Sequence, residues 1–102
     1  AYASALERNG FFGPNSWYMN HRANRAYAHQ APNAGQLALP VLFLGARYDS
    51  TCETTRSRLT EPMLALCSNL SQAVLDTGHW MAQEDPAGVN RELVKWLVKQ
   101  VL

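Results

Sequence analysis

The sequence is poor in the residues that mark several protein classes. It has only 2 cysteines and a formal net charge of +1 in 102 residues. So few cysteines argue against the disulfide framework of a small secreted domain, and we expect two reduced, partly buried thiols at Cys52 and Cys67. The near-neutral charge shows no bias toward nucleic acids or anionic membranes.

Long apolar runs and ligand-binding motifs are also missing. No run approaches the ~18 apolar residues of a membrane-spanning helix, and we expect a cytoplasmic protein without a membrane span. The histidines and cysteines lack zinc-type spacing, and there is no glycine-rich phosphate loop, so we expect neither a metal nor a cofactor. No serine lies in the G-x-S-x-G turn that presents a serine nucleophile between a strand and a helix.

Two short apolar segments are typical of strands in a parallel sheet. Pro40 precedes Val41–Leu44, which is apolar without alternation, as in a strand covered on both faces. Ser71–Leu75 is predicted as the second strand. Between them, Thr60-Glu61-Pro62 marks a helix start, with threonine as the cap and proline in the first turn. The pattern predicts a strand–helix–strand unit of the α/β class, joined by a parallel crossover.

The last predicted helix begins at Asp85-Pro86, and Asp85 is its expected cap. Its apolar residues recur at the helical period of 3.6 residues, which predicts that one face packs on the sheet. These residues are Val89, Leu93, Trp96, Leu97 and Val101.

The amino-terminal third is predicted to be helical. Residues 1–8 favour a helix, and Gly10–Pro14 is predicted as a turn-rich connector. A second helix is expected from Ser16 to about Ala28, capped by Asn15 or Ser16. The proline- and glycine-containing stretch from His29 to Leu39 is predicted as a loop between this helical unit and the α/β part.

Two predicted strands are too few for a stable sheet. Parallel strands that are apolar on both faces need further neighbours, and an exposed sheet edge favours pairing with another chain. We therefore expect the remaining strands to come from a missing N-terminal half of the protein or from a second copy of the chain.

Asp49 and His79 each follow one of the two predicted strands. Because the carboxyl ends of parallel strands lie at one edge of a sheet, where open α/β sheets bind their ligands, we expect these two side chains to meet. An imidazole exchanges protons near neutral pH, and a buried carboxylate can fix its tautomer. Gly78 permits a tight turn before His79. The alternative is a histidine with a structural role.

Asp76 and Asp85 are the alternatives to Asp49 as the carboxylate that orients His79. Asp76 is expected to make a local turn contact, whereas Glu84 is expected to be exposed or part of the cap region near Asp85. His21 and His29 are expected to face solvent.

Trp17 and Tyr18 begin the second predicted helix. Because neighbouring helix positions face different directions, one aromatic ring can line a pocket while the other packs, and packing is the preferred interpretation for Trp17. A phenol hydroxyl such as that of Tyr18 can donate a hydrogen bond to a developing alkoxide.

Two segments of the sequence resemble the epoxide hydrolases of the α/β-hydrolase superfamily. Residues 10–20, GFFGPNSWYMN, are similar to the family's cap-domain run G-F-x-G-P-x-x-W-Y-x-N. Leu39 through Asp49 and the later run Gly78-His79-Trp80 are similar to its C-terminal core. The resemblance covers nearly the whole chain. It implies that residues 1–36 are the end of a helical cap domain with its linker, and that residues 37–102 are the C-terminal part of an α/β-hydrolase core.

The resemblance implies that the complete enzyme opens epoxides to vicinal diols without a cofactor. Tyr18 then binds the epoxide oxygen, Asp49 orients the base, and His79 is the base that activates water. Trp17 and Trp80 are assigned to substrate binding. An aspartate outside this sequence would complete the catalytic triad and form a covalent ester. The isolated fragment is therefore expected to be inactive. A haloalkane dehalogenase or esterase of the same superfamily, or a non-catalytic chain that self-associates, remains an alternative.

Overall fold

The computed structural model describes residues 2–101, with side-chain environments as far as residue 100. The chain divides into two compact units, one up to Gly35 and one from Gln36 onward. The assignment of residues 1–36 to a cap domain and of residues 37–102 to a hydrolase core stays a prediction.

The first unit consists of three short helices, α1 (Tyr2–Asn9), α2 (Phe12–Met19) and α3 (His21–Ala28). Gly10 follows α1 with a φ of 69°, a left-handed conformation that glycine adopts without strain. Within the described part of the chain, none of the residues in these helices is buried. The helices therefore expose most of their apolar side chains.

The structure corrects the predicted bounds of the second helix. The connector prediction for Gly10–Pro14 is wrong in part, because α2 already begins at Phe12. Pro14 then lies in the first turn, where its missing N–H removes no helical hydrogen bond. The helix also does not run unbroken to Ala28. Asn20, with φ −87° and ψ 16°, separates α2 from α3.

The predicted caps of this helix are also wrong. Because α2 begins earlier than expected, Asn15 and Ser16 lie inside it, and the side-chain hydroxyl of Ser16 donates to the Phe12 carbonyl at 2.7 Å. The predicted loop that follows α3 contains a short 3-10 turn, Pro32–Gly35.

A two-stranded parallel sheet forms the centre of the second unit. Strands β1 (Val41–Ala46) and β2 (Leu70–Leu75) pair in register, with Val41 opposite Leu70 and Ala46 opposite Leu75. Helix α4 (Glu61–Leu66) lies in the connection between them. The α/β class and the parallel pairing are thus confirmed, and both strands are longer than the sequence predicted. The complete α/β-hydrolase fold stays a prediction.

Two helices follow the sheet, the single-turn α5 (Met81–Glu84) and the long α6 (Pro86–Val101). Asp85 accepts the Gly88 N–H at 2.8 Å, so the predicted cap of α6 is confirmed. The predicted cap of α4 is wrong, because the Thr60 side chain makes no capping bond. Helix α6 packs against both strands, as its apolar stripe predicted. The side chain of Val101, the last member of that stripe, lies outside the described residues.

Burial in the second unit is concentrated at the carboxyl ends of the strands. Ala46 and Leu75, the paired last residues of β1 and β2, are only 4% and 5% exposed. The buried polar residues Asp49 and Thr77 lie three residues after Ala46 and two residues after Leu75, respectively. The most closely packed part of the sheet is therefore its carboxyl edge, where the loops that contain Asp49 and His79 begin.

Among the described residues, no helix has the length and apolar character required to cross a bilayer.

Candidate active site

Asp49 and His79 meet at the carboxyl edge of the sheet. The Nδ1 atom of His79 lies 2.9 Å from Oδ2 of Asp49. The two residues come together because β1 and β2 are neighbours and end in register, so their following loops leave the sheet side by side. An ionised carboxylate only accepts hydrogen bonds, and this assigns the proton to Nδ1. Nε2 is then left as the atom that can accept a proton.

The second oxygen of Asp49 holds the loop after β1. Oδ1 accepts the backbone N–H groups of Thr51 and Cys52, both at 2.8 Å. The hydrogen bond from the Cys52 backbone, followed by that from the His79 ring, lowers the pKa of Asp49 against the opposing effect of burial. The carboxylate is therefore ionised at neutral pH, although Asp49 is only 8% exposed.

Backbone and ion-pair contacts tie the two loops to each other. The N–H of Tyr48 donates to the carbonyl of Thr77 at 2.9 Å, which continues the sheet pairing beyond the strands. The guanidinium of Arg47 donates to the carboxylate of Asp76, which raises the pKa of Arg47. The expectation of a local turn contact for Asp76 is therefore wrong, because strand register places it beside Arg47 on the other loop.

Glu84 holds the loop that carries His79, a role that the sequence did not reveal. Its Oε2 accepts the Gly78 N–H at 2.6 Å, and its Oε1 accepts the Trp80 N–H at 3.2 Å. These two bonds fix the backbone on both sides of His79. The carboxylate reaches back because α5 is a single turn that begins directly after Trp80. Glu84 is exposed, as expected, but the sequence carried no signal for these two contacts because helix α5 was not predicted.

The structure gives Gly78 a different role from the predicted one. The glycines with a positive φ among the described residues are Gly10 and Gly35, so the turn at Gly78 does not need left-handed backbone. A Cβ atom at position 78 would lie 3.0 Å from Oε1 of Glu84. Glycine therefore suits this position because it lets the Glu84 carboxylate approach the backbone closely.

Trp80 and His79 are in direct contact. Their ring centroids are 5.3 Å apart with an angle of 81° between the planes, an edge-to-face arrangement. Trp80 is nevertheless 66% exposed and so retains a surface for a ligand.

The other predicted site residues lie in the first unit. Trp17 and Tyr18 are on α2, and their exposed fractions are 80% and 69%. The packing expected for Trp17 is not found there. His21 and His29 are exposed, as expected.

An open polar cavity borders the acid of the pair. Its volume is about 330 Å³, and it lies on the side of the loop after β1. The residues that line it are Arg47, Tyr48, Asp49, Ser50, Glu53 and Arg56. Because His79 is not in this lining, the cavity alone does not form a substrate pocket around the base.

Cys52 is a third reactive group at this corner of the sheet. One ligand atom from each of Asp49, Cys52 and His79 lies within 4.8 Å of the others. Cys52 was expected to be partly buried, but its thiol is exposed because the turn held by Asp49 lies at the surface. Cys67, the other free cysteine, is half-buried as expected.

The contact between Asp49 and His79 defines what this pair can do chemically. The carboxylate holds one ring nitrogen, and the half-exposed imidazole can take a proton from water at the other. Such a pair supports hydrolysis once a nucleophile or an activated water is within reach.

Comparison with known proteins agrees with this chemistry. No protein-family model matches the chain. Bifunctional epoxide hydrolase 2 of Rattus norvegicus is 29% identical over 100 residues, which are 98% of this chain and 18% of that protein. Epoxide hydrolase B of Mycobacterium tuberculosis is 32% identical over 99 residues, which are 94% of this chain and 27% of that protein. The chain thus spans less than a third of the length of these relatives. Its resemblance to the epoxide hydrolases, over nearly the whole of its length, is confirmed.

Proposed function

We propose that this chain carries the acid and the base of an epoxide hydrolase. His79 is the base that activates water, and Asp49 is the carboxylate that orients it. The nucleophile, an aspartate, comes from outside this sequence, so the chain alone is inactive. The observation that supports the proposal best is the 2.9 Å contact between Asp49 and His79 at the sheet edge of a chain similar to epoxide hydrolases.

The proposed reaction has two stages. In the first, the external aspartate attacks one epoxide carbon, the carbon–oxygen bond breaks, and a hydroxyalkyl ester forms as the ring oxygen takes a proton from solvent. Solvent regains that proton when the aspartic acid left after the second stage ionises. In the second, Nε2 of His79 takes a proton from water, whose oxygen attacks the ester carbonyl. The ester bond then breaks, and the imidazolium returns its proton to the departing diol oxygen. Asp49 stabilises the imidazolium between these steps.

The aromatic residues are proposed to handle the substrate. Tyr18 donates its phenolic hydrogen bond to the epoxide oxygen, which carries negative charge as the ring opens. Trp80 contributes its exposed face beside His79, and Trp17 contributes its exposed ring on α2. Aromatic side chains suit the binding of an epoxide because the substrate offers few polar groups apart from its ring oxygen.

The proposal includes partners for the sheet. Two parallel strands are marginal alone, and apolar side chains such as Val74 and Leu64 are 49% and 51% exposed. We propose that the missing N-terminal half of the hydrolase or a second copy of the chain covers this surface and supplies the neighbouring strands. An epoxide and water are the remaining partners.

A segment exchange tests the proposed function. The stretch of Mycobacterium tuberculosis epoxide hydrolase B that matches this chain is replaced by the chain itself, and diol formation is measured. We expect an active chimaera and a loss of about 100-fold or more in kcat for His79→Gln. His29→Gln is the matched control, since His29 is exposed in the first unit and should be dispensable.

Two readouts make the test decisive. Release of halide from haloalkanes and hydrolysis of simple esters are assayed in parallel, because the related hydrolases share this acid and base. If His79→Gln turns over epoxide as fast as the unsubstituted chimaera, the proposal is wrong. Should the chimaera fail to fold, the chain itself is examined by NMR: a downfield imidazole N–H signal that disappears in Asp49→Asn reports the same pair.

A further inference from the structure

Asp49, Cys52 and His79 together offer the kinds of ligand atoms that bind metal ions. Asp49 offers a carboxylate oxygen, Cys52 a sulfur and His79 a ring nitrogen, all within 4.8 Å of one another. The sequence spacing predicted no metal site, because Cys52 and His79 are far apart along the chain and only the pairing of β1 with β2 unites their loops.

We propose that Asp49, Cys52 and His79 bind a thiophilic divalent cation of the zinc class. Zinc takes thiolate sulfur at about 2.3 Å, imidazole nitrogen at about 2.0–2.1 Å and carboxylate oxygen at about 2.0–2.2 Å. Around one tetrahedral ion, donors at these lengths lie roughly 3.3–3.8 Å apart. The donor atoms of the described cluster therefore need to approach one another by at most about 1.5 Å.

The adjustment falls on the parts of the cluster that can move. Cys52 and His79 are exposed, and their side chains can rotate toward the ion without repacking a core. Asp49 is buried and held, since its Oδ1 accepts the N–H groups of Thr51 and Cys52. Bonds of this kind orient a metal-binding carboxylate and strengthen a site. When Nδ1 of His79 is the ligand, the ion replaces the contact of this atom with Oδ2 of Asp49, and the Nδ1 proton moves to Nε2 through solvent.

The donor set also suits the charge of the ion. A thiolate and a carboxylate neutralise a divalent cation, and the thiol proton passes to the buffer as the metal binds. Three protein ligands leave a fourth position of zinc for water or an anion. The soft sulfur favours zinc and cobalt over magnesium and calcium, which prefer oxygen ligands.

Metal binding and the proposed hydrolysis exclude each other. The ion uses the same imidazole and carboxylate that would activate water, so an enzyme containing this chain should lose activity as the metal binds. This consequence depends on the proposed function, whereas binding itself does not.

Cobalt titration of the chain tests the site directly. Co²⁺ is added to the protein kept reduced with a phosphine, and the near-ultraviolet absorption of the cobalt–thiolate bond is followed. We expect one equivalent to bind, Zn²⁺ to displace it, and Mg²⁺ to have no effect. Cys52→Ser should abolish the thiolate band and weaken Zn²⁺ binding by about 10-fold or more, measured by competition with a chromophoric chelator.

Matched variants separate this site from other outcomes. Cys67→Ser removes the other free thiol and should leave the cobalt band unchanged, whereas His79→Gln should weaken binding. Circular dichroism verifies that each variant is folded. A wild-type chain without a thiolate band, or a band that survives Cys52→Ser and disappears in Cys67→Ser, overturns the proposal. Since the titration needs no epoxide, its failure is distinguishable from failure of the segment-exchange assay.

Discussion

Two carboxylates hold the two loops of the candidate site, and they do so from different places. Asp49 lies inside the loop after β1 and accepts backbone N–H groups two and three residues downstream. Glu84 lies outside the loop after β2 and reaches back from α5 to the backbone of Gly78 and Trp80. Both loops are fixed by an acidic side chain, but only one of these acids also contacts the imidazole.

The two carboxylates therefore act on His79 in different ways: Asp49 contacts the imidazole ring, whereas Glu84 holds the backbone on either side of it. Asp49 is buried and uses one oxygen for its loop and the other for His79. Glu84 is exposed and uses both oxygens for backbone on either side of His79. Loss of Asp49 should therefore remove a charge from the ring, whereas loss of Glu84 should change where the ring lies.

Of the variants at the two loop-holding carboxylates, Asp49→Asn has the larger expected effect in the segment-exchange enzyme. An amide removes the negative charge and can favour the wrong tautomer of His79, so we expect kcat to fall by roughly 10³–10⁴-fold. KM should fall together with kcat, because Asp49 acts in the second stage and slower hydrolysis lets the covalent ester accumulate. Steady-state rates of diol formation measure both constants.

Asp76→Asn is the matched control for that variant. It removes an acid from the neighbouring loop, where Asp76 pairs with Arg47 and not with the imidazole. We expect its kcat to remain within a few-fold of the parent. Equal losses in the two variants would show that any change in loop charge slows the enzyme and that Asp49 has no special role.

Glu84→Gln should have the next largest effect. The amide keeps the length of the side chain, but only one oxygen remains to accept the two backbone N–H groups beside His79. A misplaced imidazole should lower kcat by roughly 10- to 100-fold, and KM should fall with it because the covalent ester is hydrolysed more slowly. Glu61→Gln, which alters a surface pair with Arg58, is the control.

NMR of the chain distinguishes a positioning role from loss of the acid. The His79 Nδ1 proton should shift in Glu84→Gln yet persist, since Asp49 still accepts it. In Asp49→Asn the same signal should disappear. If the signal also vanishes in Glu84→Gln, Asp49 and Glu84 do not have separate roles as partner of the ring and holder of the backbone.

Gly78→Ala should have a smaller effect and tests how closely the Glu84 carboxylate must approach the backbone. The added Cβ would lie 3.0 Å from Oε1 of Glu84, so the carboxylate must move by a few tenths of an ångström. We expect kcat to fall a few-fold with Glu84 present and to be unaffected by the alanine in a Glu84→Ala background. This double-mutant cycle measures the coupling between the two positions. An equal loss in both backgrounds would contradict the close-approach role of Gly78.

The strands, and the meeting of Asp49 with His79 at one edge of the sheet, could be predicted from the sequence. The apolar run from Val41 indicates a strand, and parallel pairing brings the carboxyl ends of two strands to one edge. The meeting of Asp49 with His79 followed from these two rules. Their catalytic roles, like that of Tyr18, stay predictions.

The missed features depend on geometry that a linear pattern does not contain. The pair between Arg47 and Asp76 requires the register that sets Ala46 opposite Leu75. The contacts of Glu84 require the direction in which a single helical turn leaves Trp80. The break at Asn20 was missed because the residues before and after it were both predicted as helix. Helix boundaries are the least predictable part of a sequence pattern.

The smallest expected effect is on the stability of the fold at low pH. A third carboxylate, that of Glu53, is compared here with Asp49. Glu53 also holds its own loop, and the hydroxyl of Thr55 is the main cause that lowers the pKa of Glu53 to about 2. Asp49 likewise has a lowered pKa, chiefly through the Cys52 backbone. A carboxylate whose pKa is lower in the folded than in the unfolded state stabilises the fold above the unfolded pKa of about 4. That stabilisation is lost as the pH falls toward the folded pKa.

The melting temperature of the chain should therefore be level between pH 7 and about pH 5 and should fall below about pH 4. Asp49→Asn and Glu53→Gln should each make that fall shallower, because the substituted side chain no longer takes up a proton on unfolding. Only Asp49→Asn should also remove the His79 Nδ1 signal, because Glu53 makes its hydrogen bonds within its own loop. Thermal melts by circular dichroism at a series of pH values measure the first effect. An unchanged pH profile in both variants would mean that neither carboxylate stabilises its loop through charge.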